Sequence, residues 1–119
     1  IVYPTKFLGN MVVALRAMEA ILVAHKDDEL RILVDDSFRD LLGCAFPGES
    51  RFIYYPRKKL HENSPFSRVQ TYFEFAKLLR SIEYDSALDM DGTVVSARLM
   101  RLARAGRKPG PAFNKNKRV

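Results

Sequence analysis

From its amino end, the chain alternates short apolar runs with longer segments whose apolar residues recur every three or four positions. Ile1–Tyr3 reads as the end of a strand, Pro4 and the Gly9-Asn10 pair mark a loop, and Met11 to Ala24 forms a helix of apolar residues around Arg16 and Glu19. After the polar turn Asp27-Asp28-Glu29, Leu30–Val34 is dense in branched apolar residues and predicts a second strand, bounded by Asp35-Asp36-Ser37. Ser37 is placed to cap a short helix over Phe38–Leu42. A third strand, Arg51–Tyr55, follows the Pro47-Gly48 turn and ends at Pro56, leaving the basic triplet Arg57-Lys58-Lys59 on a loop. From Phe66 to Ile82 the spacing of Val69, Tyr72, Phe73, Ala76, Leu79 and Ile82 predicts a long helix with those residues on its buried face. Ser86–Met90 predicts a fourth strand, Gly92 a turn, and Val95, Leu99 and Leu102 the inner side of a last helix running to about Ala105, stopped by Gly106.

Strands alternating with helices require crossovers long enough to return the chain, which makes the fold class α/β: an open, mostly parallel sheet with helices on both faces. In such sheets the ligand crevice lies outside the carboxyl ends of the strands. Those ends carry Gly9-Asn10, Asp35-Asp36, Arg57-Lys58-Lys59 and Asp89 to Gly92, which are expected to share one rim.

The 119 residues are 47% hydrophobic and 29% charged, enough for one packed domain over residues 1–113, with 114–119 as a basic tail or the start of a linker. No apolar run reaches the roughly 18 residues of a bilayer crossing. The lone Cys44 excludes an internal disulfide and leaves too few thiols for a zinc site, which fits a cytoplasmic location. The chain opens inside an apolar triplet and reads as a fragment of a longer protein. Its net charge of +6 is local: up to Asp91 there are 12 basic and 14 acidic residues, and beyond it 8 basic and no acidic ones. A sequence pI near 9.7 is an electrostatic footprint of nucleic-acid binding, but no zinc spacing, ribonucleoprotein aromatic motif or helix-turn-helix pattern accompanies it, so nucleic acid is not an expected partner. His25 and His61 stand apart from any metal or triad pattern.

The sharpest local string is Leu88-Asp89-Met90-Asp91-Gly92-Thr93-Val94. It resembles the first motif of the haloacid dehalogenase-type phosphohydrolases, which implies a magnesium-dependent enzyme with Asp89 attacking phosphorus and Asp91 handling the leaving-group proton. That family completes its magnesium site with a later acidic pair, whereas no Asp or Glu follows Asp91, and three strands precede the motif here instead of none.

A longer match covers nearly the whole chain. Leu8-Gly9-Asn10-Met11-Val12-Val13 before an apolar helix, Phe52–Tyr55 leading into Arg57-Lys58-Lys59, and Glu83-Tyr84-Asp85 through Asp89, Gly92 and Ser96-Ala97-Arg98-Leu99 resemble glycosyltransferase family 9, which contains the ADP-heptose:lipopolysaccharide heptosyltransferases. The resemblance implies the Rossmann-like N-terminal domain of a GT-B enzyme. Such a domain would hold an anionic lipopolysaccharide inner-core acceptor, while a C-terminal domain binds the nucleotide-sugar donor, ADP-heptose, and no other cofactor or metal. The free fragment would then be inactive, with the intact parent working in the cytoplasm, peripherally at the inner membrane. By the same resemblance Asn10 occupies the position of the family's Asp base. Gly9, Gly92 and Ser96 would contact the acceptor, as would Arg57, Lys58 and Lys59 by clamping its anionic groups. A carboxamide orients a hydroxyl but cannot remove its proton near neutral pH, which shifts the expected base to Asp89 or Asp91. Arg98, Arg101, Arg104, Arg107 and Lys108 are expected to face an anionic membrane surface.

Overall fold

The computed structural model describes residues 1–61 and 64–108. Its elements are β1 (Val2–Tyr3), α1 (Leu8–Ala24), β2 (Ile32–Asp35), a 3-10 turn (Asp36–Phe38), α2 (Arg39–Ala45), β3 (Phe52–Tyr55), α3 (Arg57–Leu60), α4 (Pro65–Arg80), β4 (Glu83–Ser86), α5 (Val94–Leu102) and β5 (Arg104–Arg107). Every strand pairing among the described residues is parallel. β2 is central to a three-stranded ladder, with Val2 opposite Leu33 on one side and Leu33 opposite Ile53 on the other. β4 and β5 form a second ladder, with Tyr84 opposite Ala105.

The stretch after β4 joins the two. Ala87 N–H donates to Arg107 O at 2.8 Å, Val2 N–H donates to Leu88 O at 2.7 Å, and Met90 N–H donates to Val2 O at 3.0 Å. Val2 thereby bridges Asp89 in parallel, and the neighbours read β3, β2, β1, the 87–90 segment, β5.

All four residues of β2 are buried, and their alternation divides the apolar interior. Leu33 joins Val2, Phe75, Leu79, Leu99 and Met100 on the face covered by α4 and α5. Ile32 and Val34 join Met11, Met18, Leu22, Phe38 and Leu42 on the face covered by α1 and α2. Helices therefore cover both faces of the first ladder, as a parallel sheet requires.

Several boundaries move from their sequence expectations. Gly9 and Asn10 lie inside the first turn of α1 instead of in a loop, because the chain turns earlier, at Pro4–Phe7. The carboxylate of Asp35, not the Ser37 hydroxyl, caps the turn after β2 by accepting from Ser37 N–H at 3.0 Å. Arg57-Lys58-Lys59 open the short helix α3 and are not a loop. On α4, Ser64 caps the start and Pro65 occupies the first turn, as both residues favour. Its buried stripe is Phe75 and Leu79, however, while Val69, Tyr72 and Phe73 are exposed. The last helix stops at Leu102, and Gly106 lies within β5, a strand the periodicity does not announce. Among the described residues no helix is long and apolar enough to cross a membrane. The Asn114–Lys117 stretch, and with it the tail assigned to 114–119, lies outside the described residues.

Candidate functional site

Parallel pairing brings the ends of β1, β2, β3 and the 87–90 segment to one edge, and the side chains there form two adjoining groups. The first is laced by Arg57. Its guanidinium donates through Nε to the Asp35 carboxylate and through Nη2 to Pro4 O at 2.6 Å, with the Tyr55 ring 5.3 Å from its carbon. Asp35 is only 2% exposed, so the pair compensates a charge that burial would otherwise make costly. One side chain thus ties the ends of three strands, and Arg57 is a structural cross-brace instead of a member of an open clamp. Lys58 and Lys59 remain exposed beside it. They line a cavity of about 600 Å³ together with Ser37, His61 and Lys6, a residue from the loop after β1.

The second group surrounds the turn after the 87–90 segment. Asp89 is 6% exposed, and both of its oxygens are engaged. Oδ1 accepts from Asp91 N–H at 2.9 Å and Gly92 N–H at 3.0 Å, while Oδ2 accepts from the Ser96 hydroxyl at 2.8 Å. This grip bends the backbone through Gly92, whose φ of +67° favours a residue without a Cβ. Thr93 and Ser96 then form a reciprocal capping box that starts α5. Ser96 is fully buried, so it holds the turn and does not reach an acceptor. The Asp91 carboxylate stands outside this network apart from accepting from the Thr93 hydroxyl at 2.9 Å.

Tyr3 hydrogen-bonds Asn10 and lies within reach of the Asp91 charge. The Tyr3 hydroxyl donates to the backbone carbonyl of Asn10 at 3.3 Å, and the Asn10 side-chain amide donates to Thr5 Oγ1 at 3.4 Å. Burial first, and the neighbouring Asp91 charge second, push the Tyr3 phenol above its ordinary pKa. A cavity of about 360 Å³ opens between α1 and β1, with Tyr3, Asn10 and Met90 at one end and Ala14, Met18 and Ile32 along its wall. Gly9 lies exposed beside this mouth with open space where a Cβ would stand, so its size is not demanded by packing.

Among the sequence-derived candidates, Asp91 and Gly92 share the turn held by Asp89 and Ser96, Asn10 lines the cavity beside β1, and Lys58 and Lys59 line a separate cavity braced by Arg57. Tyr3, Thr5 and Lys6 were not singled out from sequence. Tyr3 had a signal in its place at the end of the first strand, where side chains reach the crevice. The five C-terminal cations are spread over two elements and the residue after them: Arg98 and Arg101 belong to α5, Arg104 and Arg107 to β5, and Lys108 follows β5, with Arg104 3.7 Å from Glu83. His25 faces Asp28 at 2.7 Å in an exposed turn. No protein-family model, curated protein or solved structure matches the chain.

Proposed function

We propose that this chain is the acceptor-binding, Rossmann-like half of a GT-B glycosyltransferase of the heptosyltransferase type. The observation that carries the reading is the strand edge where the Tyr3 hydroxyl donates to the Asn10 backbone carbonyl and feels the Asp91 charge, with the Asn10 amide on Thr5 and a lysine-lined cavity at the ends of β2 and β3. The neighbour order β3, β2, β1, 87–90 segment, β5 supports it, because doubly wound sheets of order 3-2-1-4-5 bind ligands where the order reverses. Here that switch point falls between β1 and the 87–90 segment, where Tyr3 and Asp91 stand.

In this reading Lys6, Lys58 and Lys59 hold anionic groups of a lipopolysaccharide inner-core acceptor, and Asn10 orients the acceptor hydroxyl. The hydroxyl oxygen forms a bond to the anomeric carbon of a nucleotide-activated heptose held by a second domain. Its proton passes to the Asp91 carboxylate as the bond to the nucleoside diphosphate breaks. Asp91 is preferred to Asp89 because the latter's oxygens are both engaged. The same engagement weighs against Asp89 as the nucleophile of a phosphohydrolase, which needs an oxygen open for in-line attack on phosphorus. The intact parent would work at the cytoplasmic side of the inner membrane, and no nucleic acid enters the reading.

The test is calorimetric titration of the chain with a phosphorylated inner-core oligosaccharide. Binding that weakens with salt and is lost in Lys58→Glu with Lys59→Glu, at unchanged thermal stability, is the expected result. Equal binding by the double variant overturns the assignment.

A further inference from the structure

We propose that the groove between α4 and α5 is a docking site for an acidic amphipathic helix of a partner protein, an interaction independent of sugar transfer. The two helices are tied together at their carboxyl ends, where Arg80 Nη1 donates to Leu102 O at 3.2 Å. Toward the amino end of α4 they leave a groove of about 830 Å³. Val69, Tyr72 and Phe73 of α4 and Val95, Leu99 and Leu102 of α5 make its apolar lining. Phe73 is 68% exposed, and Phe66, one helical repeat before it, is 79% exposed. Phe66, Val69 and Phe73 stand at i, i+3 and i+7, the spacing by which one helix meets another.

Charge selects the partner. Arg68, Arg98 and Arg101 line the groove, no carboxylate lines it among the described residues, and none of these arginines makes an ion pair with a described residue. Guanidinium groups flanking an apolar floor match a helix whose apolar stripe is bordered by Glu or Asp, since each carboxylate can take two parallel N–H donors. Shape favours a helix over a bilayer: the lining is a concave channel between two rods, whereas a membrane would need the apolar and basic residues spread on one plane. From Pro65 to Phe73 and from Val95 to Leu102 the walls extend for about 12 and 11 Å at the helical rise, enough for two turns of a guest helix.

The probe is an 18-residue, N-acetylated, fluorescein-labelled peptide with Leu at helical spacing and Glu on its flanks, titrated by anisotropy with the full chain. Controls are the same peptide with Lys for Glu, a scrambled peptide of identical composition, and phosphatidylcholine vesicles containing phosphatidylglycerol. The expected result is saturable binding of the acidic amphipathic peptide alone. It should weaken about tenfold in Arg98→Glu with Arg101→Glu, as expected when like charges face the guest, and severalfold in Phe73→Ser, an exposed position chosen to spare the fold. Circular dichroism on both variants separates lost docking from lost structure, and loss in one folded variant suffices as support. Absent binding, equal binding of the scrambled peptide, or binding unchanged in both folded variants overturns the proposal. So does capture by anionic vesicles without peptide binding, which assigns the face to lipid, or concentration-dependent self-association that blocks the peptide, which assigns it to a second copy.

Discussion

The two ladders of this protein are built on different physics. In the first, β2 is buried along its whole length and apolar residues seal it from both sides. In the second, β4 and β5 share the pattern of one half-buried residue among three exposed ones, and their sequences Glu-Tyr-Asp-Ser and Arg-Ala-Gly-Arg supply little apolar surface. The first ladder is held by solvent exclusion. The second is held by backbone pairing and by the packing of Ala87, Ala103 and α5 behind it. Stability should therefore be concentrated around β2 and fall off toward β5.

The largest effect expected from this asymmetry is at the brace over the first ladder. Arg57→Ala leaves the buried Asp35 charge uncompensated and should cost about 3 kcal/mol in urea unfolding, near the lower end of measured losses for broken buried pairs. Leu42→Ala, at a side chain 1% exposed against the same ladder, should cost about 2 to 3 kcal/mol. Ser96→Ala removes the hydroxyl on Asp89 and one arm of the capping box, and should cost about 1 to 2 kcal/mol. On the second ladder Arg104→Ala, in an exposed ion pair 3.7 Å long, should change stability by less than about 0.5 kcal/mol. If hydrogen exchange showed β5 amides as protected as those of β2, the contrast would be void.

A pH series sharpens the comparison further. Burial pushes the phenols of Tyr54 and Tyr55 on β3, and of Tyr84 on β4, above the ordinary value of 10.0. Unfolded tyrosines ionise near that value while these stay protonated in the folded chain, so the folded state binds more protons there. Stability is then intact below about pH 10 and declines as pH rises through the folded-state values. Urea midpoints from pH 8 to 11 should show the decline, and a single Tyr→Phe replacement that leaves folding intact should lessen it by that residue's share, Tyr3 contributing in the same direction. An unchanged slope in Tyr55→Phe would locate the proton uptake elsewhere.

The same asymmetry explains what could be read in the amino-acid order. The β2 strand was legible because its branched run Ile32-Leu33-Val34 is itself the force that buries it. Strand β5 was not, since Arg104-Ala105-Gly106-Arg107 becomes extended only through its partner β4. Gly106 lies so close to it that an added Cβ would stand 3.3 Å from Asp85 O. On α4 the helix was legible, but two apolar stripes compete along it. Which one faces inward depends on α5 and β3, not on spacing. At the site, the Asp89–Gly92 turn stood out as a strand-turn-helix string. That Asp89 is wholly occupied by its own turn depends on Ser96 arriving three residues into α5, which the capping pair Thr93 and Ser96 sets up. Arg57 is legible in the sequence as a cation but not as a brace, because its partners Asp35 and Pro4 are 22 and 53 residues away.

The short run from Ala87 to Met90 changes neighbours midway, giving its first amide to β5 and its later groups to β1. Strand β5 in turn follows α5 through the single residue Ala103, and α5 begins at the Asp89 turn that carries Asp91. The outer edge of this molecule and the place where its carboxylate stands are therefore the two ends of one short helix.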